Sequence, residues 1–343
     1  MRHLLTHPRW LLVLCVLALA PCLAQTAPAK NPSVLIINGH AANPTVLGDF
    51  TWFKQLNQHG MQLDVHFLNM RPERPLNWDL IKQYNCLVFL DFPLEEQVAK
   101  TTTRAYAWKS PPYRQELMAL LDRYLQEGGG VFVMPNLHGY AEAAACINNM
   151  DESMQHWGAH LPLEVLHDPA TETVHPRNGI PFLYTKKIAP SPVSEEVNAI
   201  WFPVAPVSTW SYQLGGQPID VSRDWTVVVR GSDTSFTADP VIDQKSAEAD
   251  LAKTMYRRPN QQTPPSLFAI RTVGDGRMAL TVLWPIYTLH GGTSWIHDGV
   301  VLDKGQAGRP SDFGRLFENT VRWLSEPSLQ SGKLGGYIQD PNQ

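Results

Sequence analysis

Residues 120–136 read LLDRYLQEGGGVFVMPN. A helix, a glycine break and a strand follow one another there without a gap. Leu117, Leu120, Leu121, Tyr124 and Leu125 recur on one face, which predicts a helix over Tyr113–Gln126. Gly128-Gly129-Gly130 ends it. Val131-Phe132-Val133-Met134 then runs without polar alternation. A strand of that kind is buried on both faces, as in a parallel sheet. It stops abruptly at Pro135-Asn136.

The same pattern extends outward. VLIINGH at 34–40 is a second wholly apolar run ending in polar residues. Phe50, Phe53, Leu56 and Met61 follow at roughly helical spacing, with Gly60 as the stop, and LDVHFL at 63–68 is the next strand. Asp79 to Tyr84 leads helically into the strand Cys86-Leu87-Val88-Phe89-Leu90-Asp91. Strands alternating with helices predict an α/β fold with a doubly wound, mainly parallel, flavodoxin-like sheet.

The second half is less regular. About 151–220 is Pro-rich and without a period, and 232–265 is a polar excursion; both read as long loop insertions on one core. Trp225 to Arg230 is a strand. Ser266–Thr272 and Arg277–Trp284 form a hairpin around Gly274-Asp275-Gly276. Asp312 to Ser325 is the closing helix, and the tail after Pro327 is expected to be loose. The organisation expected is one domain over 34–327 and a flexible tail over 328–343.

Upstream of that domain, Arg2 and Arg9 precede the apolar run Trp10–Ala20, and Cys22-Leu23-Ala24 ends in a small residue. This reads as a signal peptide over 1–24 followed by a linker over 25–33, which sends the mature chain to the periplasm or outside the cell. Acylation at Cys22 is the rival reading. No later segment has the roughly 18 apolar residues that a membrane span needs. The 343 residues carry a net charge of −4, with 43% hydrophobic and 17% charged residues. That excludes a disordered chain and offers no basic excess to neutralise nucleic-acid phosphates. Beyond the signal only Cys86 and Cys146 remain, which is no disulfide scaffold. Both read as small buried apolar residues.

The order of these parts resembles the class I glutamine amidotransferase-like superfamily. Within it, the likeness is to non-amidotransferase branches: the ThuA-like proteins and the trimerisation domains of some β-galactosidases. VLIINGH at 34–40, NCLVFLD at 85–91, LLDRYLQEGGGVFVMPN at 120–136, and GDGRMALTVLW with FGRLFENTVRWL at 313–324 carry it. In true amidotransferases the resemblance implies a nucleophilic Cys in an elbow after the fourth strand. Here Met134-Pro135-Asn136-Leu137-His138-Gly139 holds none, and Cys146 comes too late. An Asn cannot replace a thiolate, so glutamine hydrolysis is not expected.

In parallel sheets, ligands bind beyond the carboxyl ends of the strands. That rule selects His40, Asp91 and His138 as candidate catalytic groups. It selects Asn38, Asn136, Trp284, His290 and Trp295 as candidate ligand-binding groups. A His beside a carboxylate there could act as general base and orienter. Aromatic rings near acids after Trp284 suit a sugar. The alternative is that these groups cap strands and fix loops. His156 and His160 would share a face only if helical; with His167, Asp168 and His175 they make a His-rich stretch, but no metal site is assigned. No phosphate loop, dinucleotide fingerprint or Gly-x-Ser-x-Gly elbow occurs, so no cofactor is expected. Three readings stay open: a binder of a small polar ligand or carbohydrate, a hydrolase on a sugar-related substrate, and an assembly module forming a homo-oligomer.

Overall fold

In the computed structural model the chain is described over residues 31–38, 51–67, 75–90, 114–134, 150–162, 164–174, 181–204, 207–208, 211–212, 217–240, 256–260, 264–283 and 304–338. The first half alternates as its hydrophobic runs predict. β1 (Ser33–Asn38), α1 (Thr51–Gln58), β2 (Gln62–Phe67), α2 (Trp78–Ile81), β3 (Cys86–Phe89), α3 (Arg114–Gln126) and β4 (Gly130–Val133) follow in order. Short strands come next: β5 (Ala159–His160), β6 (Val165–His167), β7 (Thr173–Val174), β8 (Pro181–Thr185), β9 (Ile200–Pro203), β10 (Val207–Ser208), β11 (Ser211–Tyr212) and β12 (Asp220–Val221). β13 (Thr226–Arg230), β14 (Phe236–Pro240), β15 (Tyr256–Asn260), β16 (Ser266–Val273), β17 (Gly276–Thr281) and α4 (Phe313–Ser331) complete the described elements.

The central sheet has seven strands in the order β13-β16-β17-β4-β3-β1-β2. β17, β4, β3, β1 and β2 are mutually parallel, while β16 runs against β17 and β13 against β16. The run β2-β1-β3-β4-β17 is the flavodoxin-like order. Both faces are covered, which is why the central strands β3 and β4 and the middle of β1 are apolar. Val34, Ile36, Val88 and Phe132 face a core shared with Leu56 of α1 and with Phe313, Leu316, Phe317, Val321 and Leu324 of α4. Leu35, Ile37, Leu87 and Val131 face the opposite core, with Leu80 of α2 and Leu117, Leu121, Tyr124 and Leu125 of α3.

The glycine joint sets how close these layers lie. A Cβ on Gly130 would sit 2.5 Å from the Leu324 carbonyl oxygen of α4, and one on Gly276 would sit 2.4 Å from the Gly129 carbonyl. Only glycine lets α4 and β17 approach the start of β4 this closely.

Two expectations need correction. The closing helix does not stop at Ser325; it continues through Pro327 to Ser331. Proline removes the N–H that would bond the carbonyl four residues back. That carbonyl, on Trp323, instead accepts a 2.6 Å hydrogen bond from Arg277 Nη1. Arg277 also pairs with Glu326 at 2.7 Å and lies over the Trp323 ring. The tail is not loose as far as 338. Asn85 Nδ2 donates to Leu334 O and to Ser328 Oγ, the Gly335 and Tyr337 N–H groups donate to Lys82 and Gln83 carbonyls, and the Tyr337 ring packs on Tyr84.

The stretches read as insertions contain paired strands. β7, β8 and β9 form one three-stranded antiparallel sheet, and β15, β14 and β6 form another. Asp168, just past β6, ties this region together. Its carboxylate accepts from Ser232 Oγ at 2.5 Å, Thr171 Oγ1 at 2.6 Å, Thr234 Oγ1 at 2.7 Å and the Ala170 N–H at 3.2 Å. Burial pushes this carboxyl up, but the bonds from Ser232, Thr171, Thr234 and Ala170 outweigh burial and hold it below the usual carboxylate range.

Two outcomes are expected. Asn85→Ala removes all four bonds of a buried amide, whose Oδ1 also accepts from the Ser33 N–H and hydroxyl. It should cost about 3 kcal/mol in urea unfolding and speed hydrogen exchange over 332–338. The Asp168 carboxyl is depressed in the folded state, so its contribution is complete above an unfolded value of about 3.9 and is lost as pH falls through the folded value. The stability gap between the wild type and Asp168→Asn should therefore be constant from pH 5 to 7 and close below about pH 4.

Candidate functional site

The carboxyl ends of the parallel strands are built in step. Ile37 lies opposite Phe89, and Phe89 lies opposite Val133. The ladder then goes one residue further, with the Leu90 N–H on Ile37 O and the Met134 N–H on Phe89 O, each at 2.9 Å. On the far side of β4, Leu280 of β17 pairs with Val133. Four strand ends thus lie along one edge, level to within about a residue. β1 pairs with β2 on one side and β3 on the other, so the connection direction reverses between β1 and β3. A reversal of that kind leaves a crevice at the edge.

Of the sequence candidates, the backbone of Asn38 is described at this edge. Asn38 is the last residue of β1, opposite Phe67. His40 follows it by two positions, Asp91 follows Leu90 directly, Asn136 and His138 follow Met134, and Trp284 follows Leu283. His40, Asp91, Asn136, His138, Trp284, His290 and Trp295 all lie outside the described residues, as does the side chain of Asn38. At the described strand ends Leu90, Met134 and Leu283 are all buried.

One polar residue on the edge was not selected by sequence. Gln217 precedes β12, and its N–H donates to Val282 O, one residue past β17. Two residues on, the Ile219 N–H donates to the carbonyl of Ser266, where β16 begins. The segment 217–219 therefore crosses the carboxyl edge at β16 and β17. The Gln217 side chain is fully buried, and among the described residues neither Oε1 nor Nε2 has a protein group within hydrogen-bond distance. A buried amide left in that condition costs about 1–3 kcal/mol per missing partner. The sequence offered no signal for it, because Gly215-Gly216-Gln217-Pro218 reads as an ordinary turn.

Other clusters are accounted for within the fold. His156 and His160 do not share a helix face, because the helical turn ends at Trp157 and Gly158 is left-handed. His156 Nε2 lies 2.7 Å from Asp122, and His160 Nδ1 lies 2.6 Å from Asp151. Among the described residues no three His, Cys, Asp or Glu side chains gather as a metal site would require. A groove of about 430 Å³ runs between α1 and the start of α4. Its main polar groups are engaged: Asp312 accepts the Asn198 N–H, Asn319 donates to Glu195 O, and Glu318 pairs with His59 and Arg322.

Cys86 is a free, buried thiol, and burial pushes its pKa well above the ordinary thiol range. It pairs with Val34 and Gly130, where β1 and β4 begin, so it lies toward the amino edge, opposite the crevice. Cys146 lies outside the described residues. No described helix is long and apolar enough to cross a membrane.

No protein-family model matches the chain. No curated protein matches it either. Solved structures do. The chain is similar to a ThuA-like protein from Bacteroides uniformis at 15% identity and a TM-score of 0.42, over 87% of this chain and 93% of that one. It is similar to a cytoplasmic protein from Salmonella typhimurium LT2 at 11% identity and a TM-score of 0.43, over 85% of this chain and 99% of that one. A β-galactosidase from Bacillus circulans sp. alkalophilus is also similar, at 8% identity and a TM-score of 0.32, over 76% of this chain and 30% of that one. The sequence resemblance named ThuA-like proteins and the trimerisation domains of some β-galactosidases; a ThuA-like protein and a β-galactosidase are among the similar structures.

Proposed function

We propose that this chain is an exported, amidotransferase-like protein without amidotransferase activity, and that it binds a small polar ligand or a carbohydrate at the carboxyl edge of its sheet. One observation carries the reading. The strand order reverses between β1 and β3, and the chain leaves those two ends through Asn38-Gly39-His40 and Leu90-Asp91. A histidine and a carboxylate flanking a switch point are chemically suited to hold hydroxyl and carbonyl groups. The buried floor of Leu90 and Met134 leaves polar contacts to the residues that follow. The same reading makes the sheet doubly wound, which fits the helix α3 on one face and α4 on the other. Export rests on Arg2, Arg9 and the apolar run Trp10–Ala20. Loss of amidotransferase activity rests on the Cys-free stretch 134–139 and on the distance of Cys86 from this edge.

Thermal unfolding in the presence of sugars, polyols and small carboxylates tests the reading. A ligand at about 100 times its Kd stabilises by roughly 2.7 kcal/mol, a shift of several degrees. His40→Ala and Asp91→Ala should lose that shift while keeping the ligand-free Tm. A panel that shifts nothing, or a shift that survives both substitutions, would overturn the reading. Product formation in the same mixtures would turn it from binder to hydrolase. Alkylation by iodoacetamide gives a separate check on the thiol. The peptide carrying Cys86 should stay unmodified in the folded protein and become modified in guanidinium chloride; rapid native labelling would contradict the inert role assigned to it.

A further inference from the structure

We draw no further inference here: the strongest candidate, the groove of about 430 Å³ between α1 and the first turn of α4, carries nothing, because its carboxylates and the Asn319 amide are already bonded within the fold and, among the described residues, the N-terminus of α4 stands there with no second feature that points to a ligand.

Discussion

The packing of this fold turns on the closeness of α4 to the start of β4. At Gly130 a single added carbon would meet the carbonyl of Leu324 at 2.5 Å, and at Gly276 it would meet the carbonyl of Gly129 at 2.4 Å. Neither contact can be relieved by rotating a side chain, because both obstacles are backbone. The two glycines bring α4, β4 and β17 together at the amino edge. From there the helix lays Phe317 against Phe132 and Phe268. With the amino edge fixed in this way, the register of β17 on β4 and of β4 on β3 is set, and so is the level of the strand ends at the opposite edge.

That same contact explains a helix that local rules would end early. Pro327 should stop α4, yet the helix continues. The carbonyl that proline leaves without a donor is on Trp323, and Arg277, the second residue of β17, reaches it. The residue beside the glycine joint is therefore also the one that lets the helix cross its proline. The last turn then presents Ser328 to Asn85, which in turn holds the tail. A chain of contacts runs from the β17 start through α4 to the tail.

What was legible in the sequence follows from distance along the chain. β1, β3, β4 and α3 could be read because burial on both faces, or on one helical face, is written in a single short window. The β16–β17 hairpin could be read because its turn is local. The continuation of α4 could not, because its support comes from a residue far upstream. The strands β6 and β14 were hidden for the same reason. Each is only a few residues long, and they find each other across about seventy positions, with Leu166 opposite Thr237. At the candidate site, the described strand ends at Asn38, Leu90 and Met134 lie along one edge, as the parallel reading of the sheet implied. Gln217 was not legible, since nothing in its neighbours distinguishes a buried amide from a turn residue.

Several buried polar groups are closed by the fold itself. Asn85 is as buried as Gln217 is, and its two atoms make four bonds that join β1, α4 and the tail. Asp168 fills both oxygens with three hydroxyls and a backbone N–H. Thr281, at the end of β17, donates to Leu267 O and accepts from the Leu283 N–H. Each of these serves the fold, and each is closed. Closure is not universal: Gln217, Thr237 and Tyr184 keep buried side-chain atoms without a hydrogen-bond partner among the described residues, and each such atom costs about 1–3 kcal/mol that the apolar core must outweigh.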